Sequence, residues 1–88
     1  MKAVVTVVGK DRTGIIAKVS TLLYENDINI LDISHTIMSD DIFSMIMLVN
    51  MERATVGEVS DKLSVLADEL GVKIHLQSEV VFNSMHRI

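Results

Sequence analysis

Two short runs of this chain are apolar on both faces of an extended strand, and they restrict the fold more than any other feature. Residues 3–8 (Ala-Val-Val-Thr-Val-Val) are mostly β-branched, a composition that favours strands. Residues 42–49 (Ile-Phe-Ser-Met-Ile-Met-Leu-Val) are apolar at odd and even positions alike. Because a strand with two apolar faces has to be covered on both sides, each run is predicted to be a central strand of one sheet.

The stretch after the first run has the periodicity of an amphipathic helix. Its apolar side chains, at residues 15, 16, 19, 22 and 23, form one stripe with helical spacing. We expect Asp11 or Thr13 to cap the beginning of this helix, because short polar side chains accept hydrogen bonds from its first amides. We expect Asn26 to end it in a left-handed conformation.

A second amphipathic helix follows the second apolar run. Thr55 and Glu58 have the spacing of a capping box, and apolar residues then recur with helical spacing over residues 59–70. Gly71 is placed to end the helix. The pattern therefore predicts a helix that begins just after Thr55 and packs one apolar stripe against the sheet.

Two further strands and a tail complete the chain. Residues 28–38 and 41–51 are β-rich runs separated by a short polar turn at residues 39–40, or at residues 39–41 if the second run starts later, which predicts a hairpin. Residues 72–80 alternate between apolar and polar side chains, which predicts an edge strand with one buried face. The tail at residues 81–88 has apolar spacing that allows a final helical turn.

The resulting order is strand, helix, strand, strand, helix, strand. Two right-handed crossovers in this order give an α+β, ferredoxin-like βαββαβ sandwich, with four antiparallel strands and two helices on one face. That topology places the first and third strands in the middle of the sheet, where the two fully apolar runs belong. Residues 1–80 are expected to form this single domain, followed by the tail at residues 81–88.

The face of the sheet opposite the helices predicts self-association. The third strand directs apolar side chains to both faces, so one apolar set remains uncovered by the two helices. Exposed apolar patches usually mark an interface. We therefore expect a homo-oligomer, specifically a dimer, in which Phe82, Met85 and Ile88 of the tail help to cover the open face.

Composition excludes several classes of function. At 88 residues the chain has no room for a separate catalytic domain. Its net charge of −4 argues against a partner such as nucleic acid, whose phosphates favour a basic face. No segment approaches the roughly 18 apolar residues that span a bilayer, so we expect no membrane partner. The absence of cysteine and of a signal-peptide pattern predicts a cytoplasmic protein.

The loop between the first strand and the first helix, Gly9 to Gly14, is the strongest candidate site. Free amides at a helix N-terminus attract carboxylates, and Gly14 allows close approach to the backbone. Arg12 or Lys10 could contact a carboxylate, and Asp11 could contact an ammonium group. These groups suit a zwitterionic amino acid. The alternative is that the glycine and Asp11 serve only the turn and the helix cap.

This chain resembles the ACT domain family over residues 1–80. The resemblance is carried by Gly9-Lys10-Asp11-Arg12-Thr13-Gly14-Ile15, by Asp27-Ile28-Asn29-Ile30 and by the βαββαβ order. Within the family, the chain is similar to stand-alone, single-domain bacterial and archaeal proteins of uncharacterised function. The resemblance implies a regulatory, non-catalytic domain that binds a small molecule, most often an amino acid.

The resemblance also implies where that ligand lies. In ACT domains the first loop of one subunit faces the second strand of another, and the ligand binds between them. Carried over to this sequence, the expected ligand-binding residues are Asp11, Arg12, Thr13, Gly14, Ile15, Asn29 and Ile30. The downstream partner would be a regulated enzyme or a transcription factor. The alternative is an interaction or dimerisation module without a small ligand.

Other chemistry-bearing residues form no catalytic or metal-binding pattern. His35, His75 and His86 share no metal-ligand spacing. The pair Asp40-Asp41 fits a turn better than an acid–base pair, and no serine lies in a nucleophile motif. We therefore expect neither enzyme activity nor a metal or cofactor.

Overall fold

A computed structural model describes residues 1–10, 14–37 and 39–85 of the chain. The elements follow the predicted order, with one more helix after the last strand. They are β1 (Lys2–Lys10), α1 (Ile15–Glu25), β2 (Ile28–Ile37), a 3-10 turn (Ser39–Asp41), β3 (Ile42–Met51), α2 (Val56–Leu70), β4 (Lys73–Ser78) and α3 (Glu79–Met85).

The four strands form one antiparallel sheet in the order β2-β3-β1-β4. The two strands with apolar side chains on both faces, β1 and β3, are the central pair, with Val5 opposite Met47. This confirms the predicted ferredoxin-like sandwich, because α1 and α2 supply the apolar stripes that cover one face of this sheet.

The hydrophobic core lies between the sheet and these two helices. Alternate residues of the central strands point into it because successive strand side chains face opposite ways. Burying one such side chain contributes about 1.5–3 kcal/mol. The most deeply buried members are Val5, Val7, Ile15, Val19, Leu23, Met45, Met47, Val49, Val59 and Leu63.

The beginning of α1 is set by a glycine. The N-cap position is Gly14, with φ 91°, and its carbonyl accepts a hydrogen bond from the Lys18 amide at 2.9 Å. Left-handed backbone of this kind carries no steric penalty for glycine. The alternative cap residues named from the sequence, Asp11 and Thr13, lie outside the described residues.

The end of α1 differs from the prediction at Asn26. This residue has φ −105°, so it is not left-handed; the left-handed residue is Asp27, with φ 57°. Instead, the Asn26 side chain caps the end of the helix, where its Nδ2 donates to the Leu22 carbonyl at 2.7 Å. A side chain that satisfies a terminal carbonyl removes the need for Asn26 itself to leave the right-handed region.

The capping box of α2 forms as predicted. The Thr55 hydroxyl accepts a hydrogen bond from the Glu58 amide at 3.2 Å, and Gly71 ends the helix with φ 70°. Both ends of α2 are therefore specified by local side-chain and backbone chemistry.

The last strand is shorter than its alternating pattern indicates. β4 ends at Ser78, whose hydroxyl accepts a hydrogen bond from the Val81 amide at 3.2 Å. This contact begins α3, so the prediction that Val80 continues the buried face of the strand is wrong. Val80 is a helical residue and is 76% exposed.

Helix α3 packs against β1 and β4. Gln77 Nε2 lies 3.0 Å from the Met85 sulfur. Val4 points away from α1 and α2, because its neighbours in β1 point toward them, yet it is only 5% exposed. α3 therefore covers one part of the open face, while Val8 and Ile46 remain 40% and 43% exposed.

Candidate ligand-binding site

The first half of the predicted site is the loop between β1 and α1. Three of its expected contact residues, Asp11, Arg12 and Thr13, lie outside the described residues. Gly14 is described, and a Cβ built on it would meet no atom of the described residues within 4 Å. The described part of the chain therefore does not crowd the backbone at Gly14.

Ile15 contributes to this half only through its backbone. Its side chain is 2% exposed and belongs to the core. The amides of the first helical turn have no partner within the helix, and the helix dipole adds partial positive charge there. The chemistry available beside Gly14 is thus a set of amide donors suited to an anionic group.

The second half of the predicted site is at the beginning of β2. Asn29 is exposed and lies opposite Asn50 of β3. Ile30 is half-buried, lies opposite Val49, and packs against the core. Asn29 can therefore offer its amide to a ligand, whereas Ile30 can offer only the exposed part of an apolar side chain.

The two halves lie at opposite ends of the sheet in one subunit. Lys10 is opposite Ile42 at one end, where Ile37 also ends β2. Asn29 is opposite Asn50 at the other end. Asn29 and Ile37 are eight residues apart in β2, which corresponds to about 26 Å of strand. A single subunit does not bring the loop and Asn29 together.

The strand that carries Asn29 is an exposed edge. β2 is the outermost strand and pairs only with β3 among the described strands. Ile33 and Ile37 lie opposite the buried Met47 and Phe43, yet they are 42% and 56% exposed. The helices leave this part of β2 uncovered, and the unpaired backbone of an edge strand is able to accept another strand.

A polar cavity of about 490 Å³ lies beside Asn29. The residues around it come from the end of α1, the turn into β2, the end of β3 and the segment that follows β3. They are Tyr24, Asp27, Ile28, Asn29, Asn50, Glu52 and Arg53. Both signs of charge, two amides and one aromatic ring therefore surround one space.

Apart from Asn29, the sequence analysis did not find these cavity residues. Glu52 and Arg53 follow β3, and Asp27 stands in a turn, so their charges fit ordinary exposed loops. The register of the β2–β3 hairpin could have indicated these residues. It sets Asn29 opposite Asn50, and so brings the turn between α1 and β2 and the segment after β3 to the same end of the sheet. That register depends on the exact length of the turn between β2 and β3.

The structure gives no support to a metal site within the part it describes. No group of three or more potential ligands occurs in residues 1–10, 14–37 and 39–85. His35 and His75 lie on the opposite edge strands β2 and β4, and the His35 ring instead contacts the Phe43 ring, with centroids 5.9 Å apart. No described helix is long and apolar enough to cross a membrane.

The antiparallel βαββαβ sandwich, with an open edge strand, defines a ferredoxin-like α+β fold. Comparison with known proteins identifies the family. The ACT domain profile matches residues 2–77. The UPF0237 protein MJ1558 of Methanocaldococcus jannaschii is 49% identical over 89 residues, which cover 99% of this chain and 98% of that protein.

Solved structures agree with this result. An ACT domain protein from Streptococcus pneumoniae superposes with a TM-score of 0.83 at 40% identity, covering 93% of both chains. The regulatory subunit of aspartate kinase from Thermus thermophilus, in its ligand-free form, has a TM-score of 0.68 at 26% identity, covering 86% of this chain and 50% of that chain. The chain belongs to the ACT domain family, whose members are generally regulatory small-molecule-binding domains.

Proposed function

We propose that this protein is a non-catalytic regulatory domain that senses a free amino acid at the interface of a homodimer. The observation that carries the proposal is the distance between the two halves of the site. The family resemblance assigns the loop and Asn29 to one ligand, yet they lie at opposite ends of β2 in one subunit. A second subunit is needed to complete the site.

A two-fold axis through the exposed edge strand supplies that second subunit. If two β2 strands pair antiparallel about Ile33, residues equally far from Ile33 on either side become opposite one another. Asn29 and Ile37 are each four residues from Ile33. Asn29 of one subunit then lies beside the end of the sheet that carries the loop of the partner subunit, and the dimer has two equivalent sites.

The proposed role of each residue follows from the hydrogen-bonding groups in each half of the site. Amides at Gly14 and Ile15, together with Arg12 and Thr13, bind the ligand carboxylate, and Asp11 contacts its ammonium group. Asn29 of the partner subunit adds a hydrogen bond, and Ile30 adds an apolar contact. Because ligand binding requires both subunits, it is coupled to assembly.

A regulated enzyme or a transcription factor is the proposed receiver of this signal. The similarity to the regulatory subunit of an aspartate kinase supports a role in controlling another protein. The cysteine-free composition is consistent with action in the cytoplasm.

The first test is a thermal-shift screen of the twenty amino acids against the purified protein. A ligand at one hundred times its Kd should stabilise the native state by about 2.7 kcal/mol, which raises the Tm measurably. Arg12→Ala and Asn29→Ala should each abolish the shift, whereas Asn83→Ala on α3 should keep it. A wild-type dimer that none of the twenty stabilises would contradict the proposal.

A mixing experiment tests whether each site is shared between subunits. In a heterodimer of Arg12→Ala and Asn29→Ala subunits, one site carries both substitutions and the other carries neither. Mixing the two inactive variants should therefore restore binding, at one ligand per heterodimer, by isothermal titration calorimetry. If both residues came from one subunit, no mixture could restore an intact site.

The open face of the sheet favours a second candidate function, an interaction module without a small ligand. Val8, Ile42 and Ile46 are 38–43% exposed there, and such apolar side chains can bind a partner protein. This candidate predicts the specific capture of one enzyme or transcription factor that is unaffected by combining Arg12→Ala with Asn29→Ala. Loss of capture in that double variant would favour the sensor instead.

A further inference from the structure

A groove of about 360 Å³ lies at the end of the sheet where the last residues of β1 meet the segment between α2 and β4. Two of the residues that line it, Gly9 and Gly71, have no side chain with which to fill it. Position 9 has no room for one beside Val72, and Gly71 ends α2 with φ 70°, a conformation that suits glycine. The longer side chains around the groove belong to Val8, Lys10, Ile42 and Lys73.

These four longer side chains point away from α1 and α2. Val7 of β1 is in the core, so its neighbour Val8 faces the opposite way, and Lys10 shares that face with Val8. Lys73 lies opposite Val8 in the register of β4. Ile42 lies opposite Lys10 in the register of β3. Because directly opposed residues share a face, the groove is part of the open face and lies within one subunit.

The charges that line the groove are all positive among the described residues. They belong to Lys10 and Lys73, and neither lysine forms a hydrogen bond or an ion pair with another described residue. Asp40 and Asp41, in the turn before β3, are described but are not among the lining residues. The two lysines are diagonal neighbours across β1 and β4, about 7–8 Å apart, so both ammonium groups can reach one anion.

The remainder of the groove is apolar. Val8 and Ile42 are 40% and 38% exposed. Ile46, which shares a face with Ile42 in β3, is 43% exposed and continues the apolar surface along the sheet. Aliphatic surface beside a pair of ammonium groups is the complement of a ligand that has both an anionic head and an apolar body.

We propose that this groove binds a small amphipathic anion, a molecule with a carboxylate or phosphate head and an aliphatic body. The head lies between Lys10 and Lys73, and the body lies over Val8 and Ile42. The inference does not rest on the function proposed above, because the groove is complete within one subunit and opens on the face of the sheet away from α1. A dimer formed through β2 leaves it open, since β1 and β4 are on the other side of β3.

The test uses octanoate and octyl phosphate as probes, which distinguish the two head groups. Each is titrated by isothermal titration calorimetry below the concentration at which it forms micelles. Octanol lacks the charge, octylammonium reverses it, and acetate lacks the aliphatic body. The tighter of the two anionic probes should bind at least about tenfold more tightly than any of these three, because a hydrogen bond to a charged group is worth that much or more.

A double variant identifies the groove as the binding site. Lys10→Gln combined with Lys73→Gln should weaken the tighter probe at least about tenfold. Lys2→Gln combined with Arg53→Gln removes the same charge at the opposite end of the sheet and should leave the affinity unchanged. In proton–nitrogen correlation spectra of the wild-type protein, the backbone amide shifts should change most at Val8 and at the two groove lysines when the probe is added.

Several outcomes would overturn the proposal. They are octanol, octylammonium or acetate binding as tightly as the anionic probes, full affinity in the Lys10/Lys73 variant, and shift changes centred outside the groove. Binding of neither anionic probe by the folded wild-type protein would overturn it as well. None of these measurements involves Asn29 or the first turn of α1, so the amino-acid sensor is tested separately.

Discussion

At Gly9, β1 closely approaches the segment of chain just beyond α2. A Cβ at position 9 would lie 2.5 Å from Val72 Cγ1 and 3.1 Å from Val72 Cα. Real Cβ atoms do not approach a neighbour this closely, and Val72 is itself buried in the core. The requirement for glycine at position 9 is therefore steric: it comes from the packing of β1 against Val72, the residue just before β4, and not from a ligand.

We predict that Gly9→Ala lowers the free energy of unfolding by about 1–3 kcal/mol, the usual cost of forcing a methyl group into a packed interior. Urea unfolding followed by circular dichroism measures it. Gly57→Ala is the matched control, since Gly57 lies in the first turn of α2 and a Cβ built on it meets no described atom within 4 Å. It should be neutral or stabilising by up to about 1 kcal/mol. Equal effects of the two substitutions would contradict the prediction.

At the scale of elements, α2 shows how local chemistry determines a helix boundary. The Thr55 hydroxyl satisfies the Glu58 amide, one of the four donors that a helix start leaves without partners. Thr21, within α1, also uses its hydroxyl, but it donates to the Ala17 carbonyl at 2.8 Å, a group that the helix already satisfies. A threonine hydroxyl therefore contributes more to the stability of the protein at position 55 than at position 21.

Thr55→Ala should destabilise the protein by about 1 kcal/mol through the loss of the cap. Thr21→Ala should change the stability little or increase it by a few tenths of a kcal/mol, because alanine has the higher helix propensity. Chemical denaturation of both variants gives the comparison. The proposed role of Thr55 would be wrong if Thr21→Ala proved the more costly substitution.

The edge strand β2 is the element that the proposed assembly uses as its interface. Its first part contributes Ile28 and Ile30 to the core, whereas all of its residues from Leu31 to Ile37 are exposed. A β-bulge interrupts the pairing with β3 between Ile30 and Asp32, at the point where the core-facing part ends. Among the described strands, only β3 pairs with the second part of β2, which leaves the outer edge of β2 available for a partner.

For the whole molecule, we predict that Ile33→Lys converts the proposed dimer into a monomer. The substitution places two like charges beside the proposed two-fold axis, where directly opposed like charges destabilise a strand pair. Sedimentation velocity at micromolar concentration measures the change, and circular dichroism should show a retained fold because Ile33 is 42% exposed. A wild-type protein that is only monomeric would contradict the proposed assembly.

Val65→Lys is the control for this experiment. Val65 lies on α2 and is 61% exposed, so its replacement changes the surface charge by the same amount away from β2. It should leave the sedimentation coefficient of the dimer unchanged. Dissociation by Val65→Lys instead would place the interface on the helical face.

Much of this architecture could be read from local patterns. The alternation of apolar residues distinguishes the central strands from the edge strand β4, and the Thr55–Glu58 spacing marks the beginning of α2. Predictions failed where a short-range side-chain hydrogen bond competed with the preference indicated by the pattern. Asn26 uses its side chain on a helix carbonyl and leaves the left-handed position to Asp27, and the Ser78 hydroxyl begins α3 where the pattern continues as a strand.

The sequence by itself determined the order of the elements and the central position of β1 and β3, because periodicity and capping act over a few residues; the candidate loop was proposed from the resemblance to the ACT domain family. Only the tertiary structure decided that the loop and Asn29 lie at opposite ends of one subunit, and that Asp27, Asn50, Glu52 and Arg53 surround one cavity. Those relations depend on strand register and sheet order, which bring together residues far apart in the chain.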